Sequence, residues 1–170
     1  MRTHSSHRVS RLVALLALGA SVAQAQDAPA LARTADARVE RLLKDVAAEY
    51  TVDEDGDFRL VYDIGGGRSQ LVWIPSGTSD FGALEIRQVW SIAHRSQGPL
   101  PADLANRLLD RNGAVILGAW LTEPAGDELG VIFAVQIAAE TDAVSLRSAI
   151  HAVATTADAM ERELTGKDDF

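Results

Sequence analysis

Cysteine is absent from all 170 residues. That removes thiol nucleophiles, iron–sulfur ligation, thiolate zinc sites, disulfides and a lipid-acceptor residue together. Long apolar runs are missing too. The longest near the start, Leu12 to Ala20, is roughly half of the ~20 residues that a spanning helix needs. Basic charge is scarce, with 16 Lys and Arg against 24 Asp and Glu. An acidic surface of this kind repels nucleic acid and anionic membranes, and favours solubility.

What is present at the beginning reads as an export signal. Arg2, Arg8 and Arg11 stand without a carboxylate before the apolar run, and Ser21-Val22-Ala23-Gln24-Ala25 puts small residues where a signal peptidase reads. The expected cut lies between Ala25 and Gln26, which places the mature protein in the periplasm or outside the cell with no stable membrane anchor. Losing the three arginines of residues 1–25 takes the net charge from −8 to −11. Residues 26–35 are expected to be a flexible lead-in, residues 36–166 a single domain and residues 167–170 a tail. Without disulfides, that domain's stability rests on an apolar core, for which a 47% hydrophobic composition suffices.

Hydrophobic spacing predicts an α+β domain. Val39, Leu42, Leu43, Val46, Ala47 and Tyr50 recur at helical intervals. Phe58, Leu60, Tyr62 and Ile64 alternate as a strand, Gly65-Gly66-Gly67 turns the chain, and a second strand, residues 70–74, is stopped by Pro75. A third strand runs over residues 84–93, with Leu84, Ile86, Trp90 and Ile92 on one face. A short helix follows Pro101, with Leu104, Leu108 and Leu109 as its buried stripe and Asn112-Gly113 as a left-handed stop. Strands at residues 115–121 and 129–137 are joined across the Pro124 and Gly126 turn. A long helix then carries Leu146, Ile150, Val153, Ala157, Met160 and Leu164 on one stripe. The expected architecture is one antiparallel five-stranded sheet with helices packed on it, in the order α-βββ-α-ββ-α.

This order, together with Val39-Glu40-Arg41-Leu42-Leu43, residues 108–115 (Leu108 to Val115), Leu117-Gly118-Ala119-Trp120 and residues 156–164 (Thr156 to Leu164), resembles the YbjN-type proteins. These are described as bacterial sensory transduction regulators, and they share their fold with type III secretion chaperones. The likeness covers residues 37–166. It implies a domain that binds protein segments, often as a dimer, and it carries over no catalytic residue. The export signal departs from the usual cytosolic chaperone.

Chemical motifs are weak by comparison. Asp53, Asp55 and Asp57 surround Gly56, but an EF-hand needs glycine at its sixth position and an acid at its twelfth, whereas counting from Asp53 puts Gly56 fourth and Ile64 twelfth. An acidic turn is the better reading. The triple glycine leads into a strand rather than a helix, so it is a hairpin and not a phosphate cradle. The mature chain keeps two histidines, His94 and His151. Ser91 and His94, three apart on a strand, are expected on opposite faces, unable to form a local nucleophile and base. Two isolated histidines are short of a catalytic zinc set. A small periplasmic hydrolase using His94 or His151 is the competing reading, and neither a metal nor a cofactor is expected.

The candidate site is apolar. The last two strands are hydrophobic on both faces, whereas a sheet with helices on one side should alternate with polar residues. Trp120, Ile116, Ile132, Val72 and Ile74 are therefore the expected partner-binding surface, a dimer seam or a groove for a protein's apolar segment. The alternative is that the second helix and the loop around Ser76 and Gly77 cover that face.

Overall fold

Burial in the first long strand alternates residue by residue, with Phe58 and Leu60 buried and Arg59 and Val61 exposed. A pleated backbone sends successive side chains to opposite faces, and here one face meets the described helices. The computed structural model describes residues 34–170. The expected export signal, residues 1–25, and residues 26–33 of the lead-in lie outside the described residues.

In chain order the elements are α1 (Ala37–Asp45), β1 (Thr51–Val52), β2 (Phe58–Gly65), β3 (Arg68–Ile74), β4 (Ser79–Phe81), β5 (Leu84–Ser96), α2 (Ala102–Asn112), β6 (Ala119–Ala125), β7 (Glu128–Ala138) and α3 (Ala143–Leu164). All strand pairings are antiparallel. The sheet runs β1-β2-β3-β5-β7-β6, and β4 lies against β5 beyond the end of β3. The α+β class and the single antiparallel sheet agree with the pattern. The expected five strands are corrected to seven, because β1 and β4 are two and three residues long and too short to display a period.

Three further boundaries differ from expectation. The first helix stops at Asp45, five residues before Tyr50. Ala47 takes φ 51°, and Ala48 N–H bonds to Leu43 O while Ala47 N–H bonds to Lys44 O, both at 3.0 Å. These are the paired bonds of a Schellman ending, built here without glycine. Tyr50 instead meets Phe58 edge-on at 5.5 Å. In α2, Leu109 is exposed, and Gly113 keeps right-handed helical angles rather than a left-handed stop. The penultimate strand begins at Ala119, not Val115, and includes Pro124, so the hairpin loop shrinks to Gly126-Asp127.

That strand is an edge, and its outward backbone is guarded. The carboxamide of Asn112 accepts from Trp120 N–H at 2.6 Å and donates to Trp120 C=O at 3.2 Å, as a neighbouring strand would. Antiparallel pairs alternate in their bonding, so Thr122 and Pro124 also point outward, and proline has no N–H to offer.

The three helices among the described residues feed one core with the inner face of the sheet. Val39, Leu42 and Leu43 of α1, Leu104 and Leu108 of α2, and Leu146, Ile150, Val153, Ala157 and Met160 of α3 pack with Phe58, Val72, Ile74, Val89, Trp120 and Phe133. Each large side chain enclosed this way contributes roughly 1.5–3 kcal/mol. Asp36 caps α1 by accepting from Arg38 N–H at 2.8 Å, and Asp142 caps α3 by accepting from Ser145 N–H at 2.7 Å. Arg87, only 1% exposed, donates to Asp36 and to Pro75 C=O, so the start of α1 is fastened to β5 through a charge pair. Among the described residues, no helix is long and apolar enough to cross a membrane.

Candidate functional site

Among the described residues, no helix covers the outer face of the sheet. Strand register assigns to it Val61 of β2, Leu71 and Trp73 of β3, Trp90 and Ile92 of β5, Ile132 and Ala134 of β7, and Ala119 and Leu121 of β6. Ile92, Ile132 and Ala134 form a small cluster of their own, on which Trp73, Trp90, Leu121 and Phe170 rest half-buried. The indoles of Trp73 and Trp90, directly opposite across β3 and β5, stack in parallel with centroids 4.4 Å apart. Val61 is 72% exposed. The polar groups on this face are peripheral: Arg59 and Asp63 on β2, Arg95 on β5, Glu123 on β6, and Gln88 and Gln136 toward β4.

This arrangement corrects the expected partner surface residue by residue. Val72 and Ile74 are fully buried on the helix side, and Trp120 is buried there at 6% exposure against Phe133. Ile132 does lie on the outer face but is 1% exposed, sealed beneath its neighbours. Ile116 is wholly exposed, yet it precedes β6 and belongs to neither face of the sheet. The second helix joins the same core as the others, and so leaves the outer face open. Apolarity on both faces, expected of the last two strands, holds for β7 but extends in β6 only over Ala119, Trp120 and Leu121, while β3 and β5 show it as well. In a strand apolar on both faces, however, alternation cannot say which set faces inward, and the tryptophans of β3 and β5 point out while that of β6 points in. Leu84, Ile86, Trp90 and Ile92 do share one face, and it is the open one.

The segment after α3 folds back across the end of the sheet. Arg68 of β3 is its fastening: Nε donates to Asp158 at 2.6 Å, Nη1 donates to Lys167 C=O at 2.8 Å, and Nη2 stands 3.5 Å from Glu161 and 3.8 Å from Asp168. Asp158, Glu161 and Asp168 are the one converging carboxylate trio among the described residues, and the guanidinium already supplies their cation. Burial pushes the Glu161 carboxyl above the ordinary range. Asp169 N–H donates to Glu161 at 2.6 Å, and Phe170 then reaches the outer cluster, with the Arg95 guanidinium 5.9 Å from its ring centroid.

The acidic turn is committed to its own backbone. Asp53 Oδ1 accepts from Asp55 and Asp57 N–H at 3.1 and 2.9 Å, its Oδ2 accepts from Arg59 at 3.2 Å, and Asp57 accepts from Ser76 N–H. The expected separation of Ser91 and His94 is overturned. A bulge between Ile92 and His94 sets Ala93 and His94 together opposite Val131, so register returns His94 to the face of Ser91. The serine is engaged elsewhere: its hydroxyl donates to Leu71 C=O at 2.7 Å and accepts from the Gln70 carboxamide at 3.0 Å. His151 Nδ1 shares a hydrogen bond of 2.8 Å with the Tyr62 hydroxyl on the surface. Among the residues that spacing alone missed, Leu71, Trp73, Leu121 and Phe170, the first three carry a usable signal in their common parity on adjacent strands.

In comparisons with known proteins, no family model matches this chain, and no curated protein matches it significantly.

Proposed function

We propose that the chain is an exported, non-enzymatic binding module of the YbjN and secretion-chaperone type, which takes a protein partner on the face of its sheet that none of the described helices covers. One observation carries the reading: an acidic chain keeps Leu71, Trp73, Trp90, Leu121 and Phe170 together on a face that none of the described helices covers. An antiparallel sheet with one wet side ordinarily alternates to polar residues there. Leaving several large apolar side chains half wet forgoes roughly 1 kcal/mol or more apiece, which a partner's apolar surface recovers. The hydrolase reading draws no comparable support, since the Ser91 hydroxyl and the His151 ring are both occupied by structural partners.

The test uses the mature chain from Gln26 with a photo-crosslinking residue at Leu71 or Leu121, and a control at exposed Val144 of α3. Polypeptide adducts at the first two positions and none at the third are expected. A strictly monomeric protein by light scattering, with no dye-accessible apolar surface and no adduct at either position, removes the reading. Sequencing the N-terminus of the exported form checks the cut at Gln26.

A further inference from the structure

The outer face already holds a guest, and the guest's chemistry describes what the seat accepts. Gly166 turns the chain with φ 70°, after which Lys167 C=O, the Asp168 carboxylate and Asp169 N–H are each held at the end of the sheet, by Arg68, Ser69 N–H and Glu161 respectively. Those contacts are polar and peripheral. They deliver a single ring, that of Phe170, onto Ile92, Ile132 and Ala134 beneath Arg95. Beside the ring lies a depression of about 520 Å³ bordered by Arg59, Leu71, Trp73, Arg95 and Asp169. On a chain of net charge −8, this corner gathers Arg59 and Arg95, each near half exposed and each holding one carboxylate, at 3.2 and 3.6 Å. A guanidinium has five N–H donors, so both retain capacity for an incoming anion.

We infer that the Phe170 seat recognises an extended acidic segment bearing an aromatic side chain, and that residues 167–170 are the chain's own stand-in for it. This rests on the outer face being a binding surface and goes further by naming the occupant. A tethered tail acts at an effective concentration in the millimolar range, so a free segment of like chemistry competes poorly until the tail lets go. The seat is thereby shielded in the lone protein and opened by a partner that presents the same groups more extensively.

The probe is a labelled peptide of residues 165–170, titrated by fluorescence anisotropy into three mature proteins: the full chain, the chain ended after Gly166, and the full-length Phe170→Ala variant. Circular dichroism establishes that each is folded, and the Phe170→Ala variant keeps every polar anchor if the shortened chain unfolds. Binding at least about tenfold tighter to the two variants than to the full chain is expected. A peptide carrying Phe170→Ala should lose binding, and one carrying Asp168→Asn and Asp169→Asn should bind several-fold more weakly at low salt, where charge is least screened. No peptide binding to a folded Phe170→Ala protein overturns the inference. Equal binding of the neutral peptide also overturns it, leaving an apolar surface without acidic preference and the binding-module reading intact. Dimerisation of the shortened chain in place of peptide binding overturns it in favour of a second copy.

Discussion

The end of α1 allows a quantitative test of how the domain is put together. Ala47 sits at φ 51°, a conformation that costs an L-residue about 1–2 kcal/mol because Cβ crowds the following carbonyl. Glycine adopts it freely but surrenders about 0.5–1 kcal/mol more backbone entropy on folding. Ala47 is exposed, so deleting its methyl forfeits no packing. The difference predicts that Ala47→Gly stabilises the mature protein by about 0.5–1 kcal/mol, which for a domain of this size raises Tm by about 2–4 °C. Ala48→Gly is the control. Ala48 has no left-handed conformation to relieve and packs against the core, so its replacement should lower stability by about 1 kcal/mol. Thermal and urea unfolding of the two variants decide the matter. A fall in Tm for Ala47→Gly, comparable to that of Ala48→Gly, would refute the left-handed ending and restore the longer helix that the hydrophobic spacing suggests.

Other outcomes follow from particular contacts. Gly118→Ala should cost more than about 2 kcal/mol by urea unfolding, since an added Cβ would lie 2.5 Å from Ala134 C=O in a backbone at φ 90°. Asn112→Ala should cost about 1–2 kcal/mol, and Asn112→Asp at least as much, because a carboxylate still accepts from Trp120 N–H but faces Trp120 C=O with no donor. Arg38 holds Asp36 far below the usual carboxylate range and Glu85 down to about 2. Their contributions are complete above the unfolded pKa values near 4 and fade as pH falls toward 2. Glu161, raised by burial, works in the opposite direction, favouring the folded state when protonated. Melting between about pH 7 and 2 should therefore show an acid limb below about pH 4 that flattens in Arg38→Gln; an unchanged limb would show that the cluster does not govern acid stability.

Much of the architecture was legible because period and burial coincide. The α3 stripe from Leu146 to Met160 is buried as its spacing requires, and the β2 alternation of Phe58 and Leu60 with Arg59 and Val61 identifies the inner face without ambiguity. Legibility fails where both parities are apolar. In β3, Gln70, Val72 and Ile74 point to the helices while Leu71 and Trp73 point away, although composition favours neither set. Asn112, reaching the Trp120 backbone from the end of α2, places the β6 tryptophan inward, a long-range choice that no local window contains. The bulge at Ala93 similarly reverses a parity that simple counting assigns to His94. The place of Phe170 is illegible for a different reason: a four-residue tail has no period, and its position follows from Arg68, about a hundred residues earlier.

The guarded rim of β6 has a bearing on how molecules of this protein meet. Of its outward positions, Trp120 has both backbone groups engaged by Asn112, Pro124 has no N–H, and Thr122 is left as an isolated donor between them. A foreign strand needs a row of alternating bonds to settle in register, and one rung is too few to hold it. Growth of the sheet by end-to-end accretion is thus blocked on this side before any chaperone intervenes. Heat-induced fibrillation, if it occurs, is channelled to the opposite margin, where β1 shields just the first two residues of β2.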